Sequence, residues 1–407
     1  MSAGAAAIPK RALDPASFAI GGVAPRSVQR PGSREELCEA LRAASRDRSG
    51  VVPWGGGVSL PLESAPERYD LALDLTGLDR IVEYEPEDFT LTTECGVTIA
   101  RLRDTLAARG QELPLEAAFA TRATVGGAFA ANASGPRRLR FGSPRDRILG
   151  ARFALADGTL ARTGGKVVKN VAGYGIHRLL CGSRGGLAIL VEASLKLAPA
   201  PAARRALVHH VTAKEIADPA RWATFPRLEP AWLTIVGAEA ARALPIASPT
   251  SGFVAIVGLE DDAAWVDRQS ALAIQALGAP HARVEGADAS ALVQSLTDLE
   301  ELDGPRLSMT TAFNSPAAIA PLIERGAASR LVFHALAGRL HLAIDASEAD
   351  ATMAALRARG FALVEARGVA PVAASSPRDA LLDLRARIRV ALDPDRTMAF
   401  GDRWERG

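Results

Sequence analysis

Three consecutive glycines, in the stretch Val52-Pro-Trp-Gly-Gly-Gly-Val-Ser-Leu60, strip side chains from a short run of backbone. Without Cβ atoms, successive N–H groups can converge on an anion. The apolar lead-in ends at Trp54 and Ser59 adds a hydroxyl donor, so the run suits a pyrophosphate. A second cluster follows, Ala123-Thr-Val-Gly-Gly-Ala-Phe-Ala-Ala-Asn-Ala-Ser-Gly-Pro136. A third, Gly164-Gly-Lys-Val-Val-Lys-Asn-Val-Ala-Gly-Tyr174, leads to Gly182-Ser-Arg-Gly-Gly-Leu-Ala-Ile-Leu-Val-Glu192. There is no G-x-x-x-x-G-K-[ST] loop, and no G-x-G-x-x-G between an early strand and a helix. The expected ligand is a nucleotide held by neither of those loops. Each cluster alone would equally fit a glycine-rich turn; the set of three points to binding.

Other reactive side chains are sparse. Cys38, Cys95 and Cys181 lie far apart, with no C-x-x-C to hold zinc or an iron–sulfur cluster. Their low, odd count fits a reducing cytoplasm. His177, His209, His210 and His281 form no cluster with carboxylates, and His177 is read as a fold-supporting residue. There is no G-x-S-x-G elbow, and Ser134-Gly-Pro136 lacks a local base. The carboxylate pairs Asp261-Asp262 and Glu300-Glu301 read as solvated helix or loop faces.

The elements that must position these segments follow from hydrophobic spacing. Residues 33–49 read as a helix, with Ser33 as N-cap, Glu36 three residues on, and Leu37, Ala40, Leu41 and Ala44 on one face. Gly50 ends it, and Val51-Val52 begins a buried strand that runs into the glycines. Leu71–Leu75 reads as a strand, Ile81–Tyr84 and Thr90–Cys95 as a hairpin, and Thr98 as the cap of a helix through Arg109. Arg147–Leu155 turns at Asp157-Gly158 into a partner strand. This mixture predicts an α+β fold rather than a regular parallel sheet. The Pro/Ala-rich stretch Leu197-Ala-Pro-Ala-Pro-Ala-Ala203 marks a boundary. Beyond it, strand-like runs at 232–236, 253–257, 331–335 and 340–344 alternate with helical ones at 262–277 and 348–359, the pattern of a second α+β domain with an antiparallel sheet. One more helix is expected over 376–392. The chain has 407 residues, 48% of them hydrophobic, and a net charge of +2, so charge does not point to nucleic acid. The N-terminal run is too short and lacks the basic start of a signal peptide, and no apolar run reaches the roughly 18 residues of a membrane span.

In order, the motifs read P-W-G-G-G-x-S, A-T-V-G-G, S-G-P-R-R-x-R-x-G-x-x-R-D, G-G-x-V-x-K-N-V-A-G-Y and G-S-x-G-x-L. The set resembles the FAD-binding domain of the vanillyl-alcohol oxidase/PCMH superfamily. Its S-G-P-R-R and K-N-V-A-G-Y motifs resemble the E subunits of bacterial glycolate oxidases. The resemblance covers residues 25–200. It implies a two-subdomain PCMH-type FAD-binding domain over 25–200, after an N-terminal extension, 1–24. A degenerate, substrate-type α+β cap follows over 201–375, and a helix and tail over 376–407 return to the FAD domain. It further implies that Pro53, Trp54, Gly55, Gly56, Gly57, Val58, Ser59 and Leu60 form the loop on the FAD pyrophosphate. Thr124, Gly126 and Gly127 match a second loop opening a helix toward the same phosphates. Asn132, Ser134, Gly135, Arg140, Gly142, Ser143 and Asp146 fall where the family lines the ribityl chain and ring. Gly185, Ala188, Ile189 and Leu190 match the strand on the adenosine side.

Two departures bear on chemistry. Relatives with covalent flavin carry a histidine near the first loop; none is present here, so non-covalent FAD is expected. His334-Ala-Leu-Ala-Gly-Arg-Leu-His341 keeps the histidine spacing of the H-x-G-D-G-N-x-H motif of related D-2-hydroxy acid dehydrogenases, whose histidines bind a metal. Here Ala337 and Arg339 replace its Asp and Asn. The Glu-His pair expected some thirty-five residues on is absent from 370–377. Two histidines without a carboxylate make a poor metal site, so no metal and no catalytic residue is assigned. The first reading is an FAD-binding oxidoreductase subunit that relays electrons or holds a glycolate oxidase-like complex together. A sister flavoprotein would oxidise the 2-hydroxy acid, and an iron–sulfur subunit would carry electrons on. The complex would be cytoplasmic or peripheral on the inner face of the membrane. The alternatives are a self-sufficient 2-hydroxy acid dehydrogenase, with Lys169, Tyr174, Arg138 and Arg140 handling charge and protons, and a flavin-free scaffold.

Overall fold

The apolar run before the glycines forms the strand Val51–Trp54 in the computed structural model, which describes residues 11–60, 66–166, 173–223, 228–301, 304–312, 315–369 and 379–401. Lys169, residues 370–377 and the first residues of the expected last helix lie outside these. The described chain divides into two compact units: Met1–Ala133 with Gly142–Ala200 and Ser376–Gly407, and Ser134–Phe141 with Pro201–Ser375.

The first unit contains a small parallel sheet, with Leu71–Asp74 between Ser27–Gln29 and Val51–Trp54. The helix Arg34–Arg46 covers it with Leu37, Cys38, Ala40, Leu41 and Ala44. Ser33 caps this helix through the Glu36 N–H, while the Glu36 carboxylate reaches back to Gly32. The helix stops short of residue 49 because Arg48 turns left-handed, with φ at 53°. A five-stranded antiparallel sheet follows, in the order Ile81–Glu85, Thr90–Glu94, Ile189–Lys196, Ile148–Ala154, Leu160–Gly164. Its core is closed by the helices Ile99–Ala107 and Val125–Ala131. Past the helix Asp379–Leu392, residues 397–399 lie beside the glycine-bearing strand. Val51 N–H donates to the Thr397 carbonyl at 2.8 Å, and Ala399 N–H to that of Val51 at 3.0 Å. Asp393 holds this segment by accepting from the Thr397 and Met398 amides.

The second unit is one eight-stranded antiparallel sheet, ordered Ala282–Glu285, Ala203–Val211, Phe253–Asp261, Trp232–Gly237, Leu331–His334, Arg339–Ala343, Arg306–Thr310, Ala362–Arg367. The helices Ala263–Leu277 and Ala349–Arg357 help bury one face and Gly286–Asp298 the other. The α+β class with antiparallel sheets is the observed one. Among the described residues, no helix is long and apolar enough to cross a membrane.

Candidate functional site

The strand Val51–Trp54 delivers the three glycines to one wall of a cavity in the first unit. The cavity encloses about 790 Å³ of empty space, part of it open to solvent. Pro53, Gly55, Gly56, Gly57, Val58, Ser59 and Leu60 line this wall. Thr124, Gly126 and Gly127 line the second, and Gly185, Ala188, Ile189 and Leu190 the third. Sequence reasoning missed Leu75, Cys95, Ala117, Ala123, Ala128, Ala130, Ala131, Ser183 and Arg184, which also line it. Ala123, Ala128, Ala130 and Ala131 are small residues beside a glycine motif and Ser183 and Arg184 lie within the G-S-x-G run itself, whereas Leu75, Cys95 and Ala117 carry no such signal.

The amides of residues 55–59 donate to no partner among the described residues, although Gly57 is buried. A run of open N–H groups is costly unless something accepts from it. The second loop differs. Val125 N–H donates to the Val97 carbonyl at 2.8 Å, Gly126 to Cys95 at 2.7 Å, and Gly127 to its capping residue, Thr124, at 3.2 Å. That helix start spends its donors inside the protein, so its part is to shape the cavity. The N–H groups left open at the cavity are those of the first loop.

Glycine is required here for two reasons. A Cβ on Gly56 would stand 1.8 Å from the Arg122 carbonyl oxygen, and one on Gly55 2.3 Å from Thr124 Oγ1, so the first loop packs against the main chain of Arg122 and the side chain of Thr124. A Cβ on Gly127 would meet only Thr124 Oγ1, at 3.1 Å, and otherwise face open space.

The remaining expected site residues go elsewhere. Trp54 is buried, donates to Tyr69 Oη at 2.8 Å and packs edge-on against Phe18. Gly142, Ser143 and Asp146 close a capped turn on themselves, with the Ser143 amide 2.8 Å from Asp146 Oδ2. Asn132 ends the helix Val125–Ala131 in a left-handed conformation, and its Oδ1 is buried without a partner among the described residues. Ser134, Gly135 and Arg140 belong to the second unit. There Arg140 pairs with Asp261 at 2.8 Å, while Arg138 and Arg339 both donate to Ser134 Oγ. Tyr174 is 89% exposed. His177 bonds Thr163 at 2.7 Å inside the first unit.

The second unit corrects one expectation. Glu300 and Glu301 are not solvated faces: their side chains are 11% and 20% exposed and fully engaged. Glu301 pairs with Arg306 and Arg367. Glu300 faces both histidines, at 3.1 Å from His334 Nε2 and 3.3 Å from His341 Nε2. The opposite ring nitrogens contact Thr234 Oγ1 at 2.9 Å and Ser308 Oγ at 3.1 Å. Burial drives His341 down to about 3, so its ring is uncharged at neutral pH. Burial would raise the Glu300 carboxyl, but the two imidazoles and Arg339 bring it below the ordinary range. The histidines therefore do have a carboxylate, and it comes from upstream.

A family model described as an FAD binding domain matches residues 25–164. Glycolate oxidase subunit GlcD of Bacillus subtilis is 34% identical over 184 residues, covering 45% of this chain and 39% of that protein. Glycolate oxidase subunit GlcE of Escherichia coli is 38% identical over 148 residues, covering 36% and 42%. A D-2-hydroxyglutarate dehydrogenase of Xanthomonas citri is 32% identical over 177 residues, covering 44% and 38%. The matched segment thus spans about two-fifths of each relative. A solved alkyldihydroxyacetonephosphate synthase shares the fold, with a TM-score of 0.65 over 93% of this chain and 77% of that one, at 16% identity. Residues 25–164 are an FAD-binding domain of the PCMH type, and FAD is the cofactor they bind.

Proposed function

We propose that this chain, with its PCMH-type FAD-binding domain, is a non-covalently loaded FAD subunit of a 2-hydroxy acid dehydrogenase assembly of the glycolate oxidase kind. The observation that carries the reading is the row of amides at residues 55–59 that have no partner among the described residues, set in a cavity with apolar walls. Those amides would take the diphosphate, and the small residues of the other two walls would leave room for a long, flat cofactor. Bound FAD would supply an acceptor for hydride. Cys95 is the sole cysteine on the cavity wall, and burial pushes its thiol well above the ordinary range. It stays protonated and a poor nucleophile, in keeping with non-covalent attachment. Similarity to a GlcD and a GlcE subunit supports an assembly, with substrate oxidation on a sister flavoprotein and electrons passing to an iron–sulfur partner.

A second reading, a self-sufficient dehydrogenase, is favoured by Glu300, which stands beside two imidazoles as a potential proton acceptor. One experiment separates the two. The purified protein's absorbance spectrum is recorded, then repeated anaerobically with glycolate and D-lactate, and the flavin is released by heat. Flavin bands that stay oxidised, with free FAD in the supernatant, are the expected result. Bleaching by either acid would replace the first reading with the second. A protein that stays colourless after incubation with FAD would overturn both.

A further inference from the structure

Four arginines line a second cavity of the first unit, distinct from the one that the glycine loops line. Arg48, Arg68, Arg389 and Arg396 share it with Glu67 and Asp395, around about 890 Å³ of empty space, part of it open to solvent. We propose that this cavity is an anion site for a phosphate group, carried by inorganic phosphate or a small phosphate monoester. This goes beyond the flavin reading and does not depend on it.

Charge is the first observation. Four guanidinium groups, which stay protonated at any physiological pH, face two carboxylates, an excess of two positive charges in one recess. One of those carboxylates is engaged, since Asp395 Oδ2 accepts from Ser45 Oγ at 3.2 Å. Arg68 donates to the carbonyl of Arg48 at 2.9 Å and to that of Arg396. Both acceptors are neutral and leave its charge uncancelled. Among the described residues, neither Arg48 nor Arg68 forms an ion pair. Arg389 brings to the wall a side chain that is only 2% exposed. Asp393, 4.0 Å from its Nε, is already committed to the Thr397 and Met398 amides. A cation held away from water attracts an anion more strongly than one in solution does. A phosphate dianion has the charge to balance the excess, and oxygens enough to accept from several guanidinium groups at once.

Backbone strain is the second observation. Arg48 and Arg396 both adopt the left-handed conformation, with φ at 53° and 55°. Glycine or asparagine would sit there at less cost. Two arginines held in that region, on segments far apart in sequence, line the same cavity. Strain of this kind concentrates where a side chain is needed for binding.

Placement is the third. Arg48 stands just before Val51, and Arg396 just before Thr397, the two residues joined by the 2.8 Å main-chain bond. Met398 and Ala399 form part of the cavity wall. A phosphate held by both arginines would fasten the closing segment to the strand that bears the glycines.

The test uses the full chain in excess FAD, so that the amides at 55–59 are not open to the probe. Inorganic phosphate is titrated calorimetrically against a chloride control of equal ionic strength, and melting is followed by circular dichroism with and without it. Glycerol 3-phosphate is titrated in the same way, and the tighter of the two distinguishes free phosphate from an ester. One phosphate group per chain is expected, with a rise in melting temperature. Arg48→Gly and Arg396→Gly should each weaken binding about 10-fold or more. Both should melt no lower than the parent when phosphate is absent, because glycine relieves the left-handed strain. A purely structural role for either arginine would give the opposite pattern, a lower melting temperature with unchanged binding. Arg46→Gln, at the exposed end of the helix Arg34–Arg46 and outside the cavity, should bind as the parent does. If a glycine variant does not fold, its asparagine counterpart, which also tolerates that region, takes its place. A folded parent with no saturable heat from either probe beyond the chloride control, or glycine variants that bind as the parent does, overturns the proposal. Flavin content is read separately by absorbance, and neither arginine lines the glycine cavity, so a failure here is distinct from a failure of the flavin reading.

Discussion

In the first unit the open donor surface at residues 55–59 is main chain, and glycine creates it by leaving room. In the second unit, Glu300, His334 and His341 meet as side chains, and sheet register creates the cluster by lining up strands. A main-chain site depends on what is missing from a short run of sequence. A side-chain site depends on distant residues arriving together. The two should therefore fail differently: the first to added bulk, the second to lost partners.

The strongest way to break this contrast is with glycine substitutions. Gly56→Val should destroy the fold of the first unit, because its Cβ would overlap the Arg122 carbonyl. Soluble, flavin-loaded Gly56→Val protein would show that the loops do not pack as described. Gly127→Leu should stay folded and lose FAD by at least about 100-fold, or about 3 kcal/mol, since its side chain would enter the cavity. Fluorescence titration of the apoprotein reads this, and unchanged affinity would remove Gly127 from the site.

Partner loss in the second unit is tested by Glu260→Ala. Glu260 is 2% exposed and pairs with Arg137 at 3.1 Å, which is itself buried. Leaving that guanidinium without its carboxylate should cost about 3 kcal/mol in urea unfolding; a cost below about 1 kcal/mol would place the pair among ordinary surface bridges.

His209 sharpens the same point through pH. Burial lowers it to about 4, and its Nε2 has no partner among the described residues. Because the folded value lies below the unfolded one of roughly 6.5, the native state resists the proton that the unfolded chain accepts. Stability is full above pH 6.5 and falls as pH drops through the interval down to about 4, by up to about 3 kcal/mol. His209→Gln should flatten that slope in melting curves at stepped pH; an unchanged slope would assign the acid loss to other groups.

The smallest effect is expected from Thr124→Val, which removes the cap on Gly127 and should cost about 1 kcal/mol. Thermal melting of the flavin-free protein measures it.

Much of the first unit was legible in the sequence because its signals are local. The capped helix at Ser33, the hairpin around Pro86 and the glycine loops each fit within a short window. The sequence also pointed to the cavity walls at 55–60, 124–127 and 185–190. It could not reveal that the second loop's amides are already taken, since Cys95 and Val97, which take them, precede it by about thirty residues. Glu300 was read as solvated because a Glu-Glu pair after a helix usually is. Only the folded turn aims one carboxylate at the histidines and the other at Arg306 and Arg367. Arg140 was read as a cofactor residue from its motif, yet it is Asp261, far along the chain, that holds it.

The bridge between Val51 and residues 397–399 has a consequence for biosynthesis. Val51 gains this neighbour only from residues that follow the second unit in sequence, and Ser45 meets Asp395 across 350 residues. On the ribosome, the strand that presents the glycine loop must wait, one edge unpaired, while the eight-stranded sheet is translated. Its last partner emerges only afterwards. Flavin capture by a fully formed loop thus has to follow the emergence of residue 397, and a premature stop before it would leave the loop on an unfinished sheet.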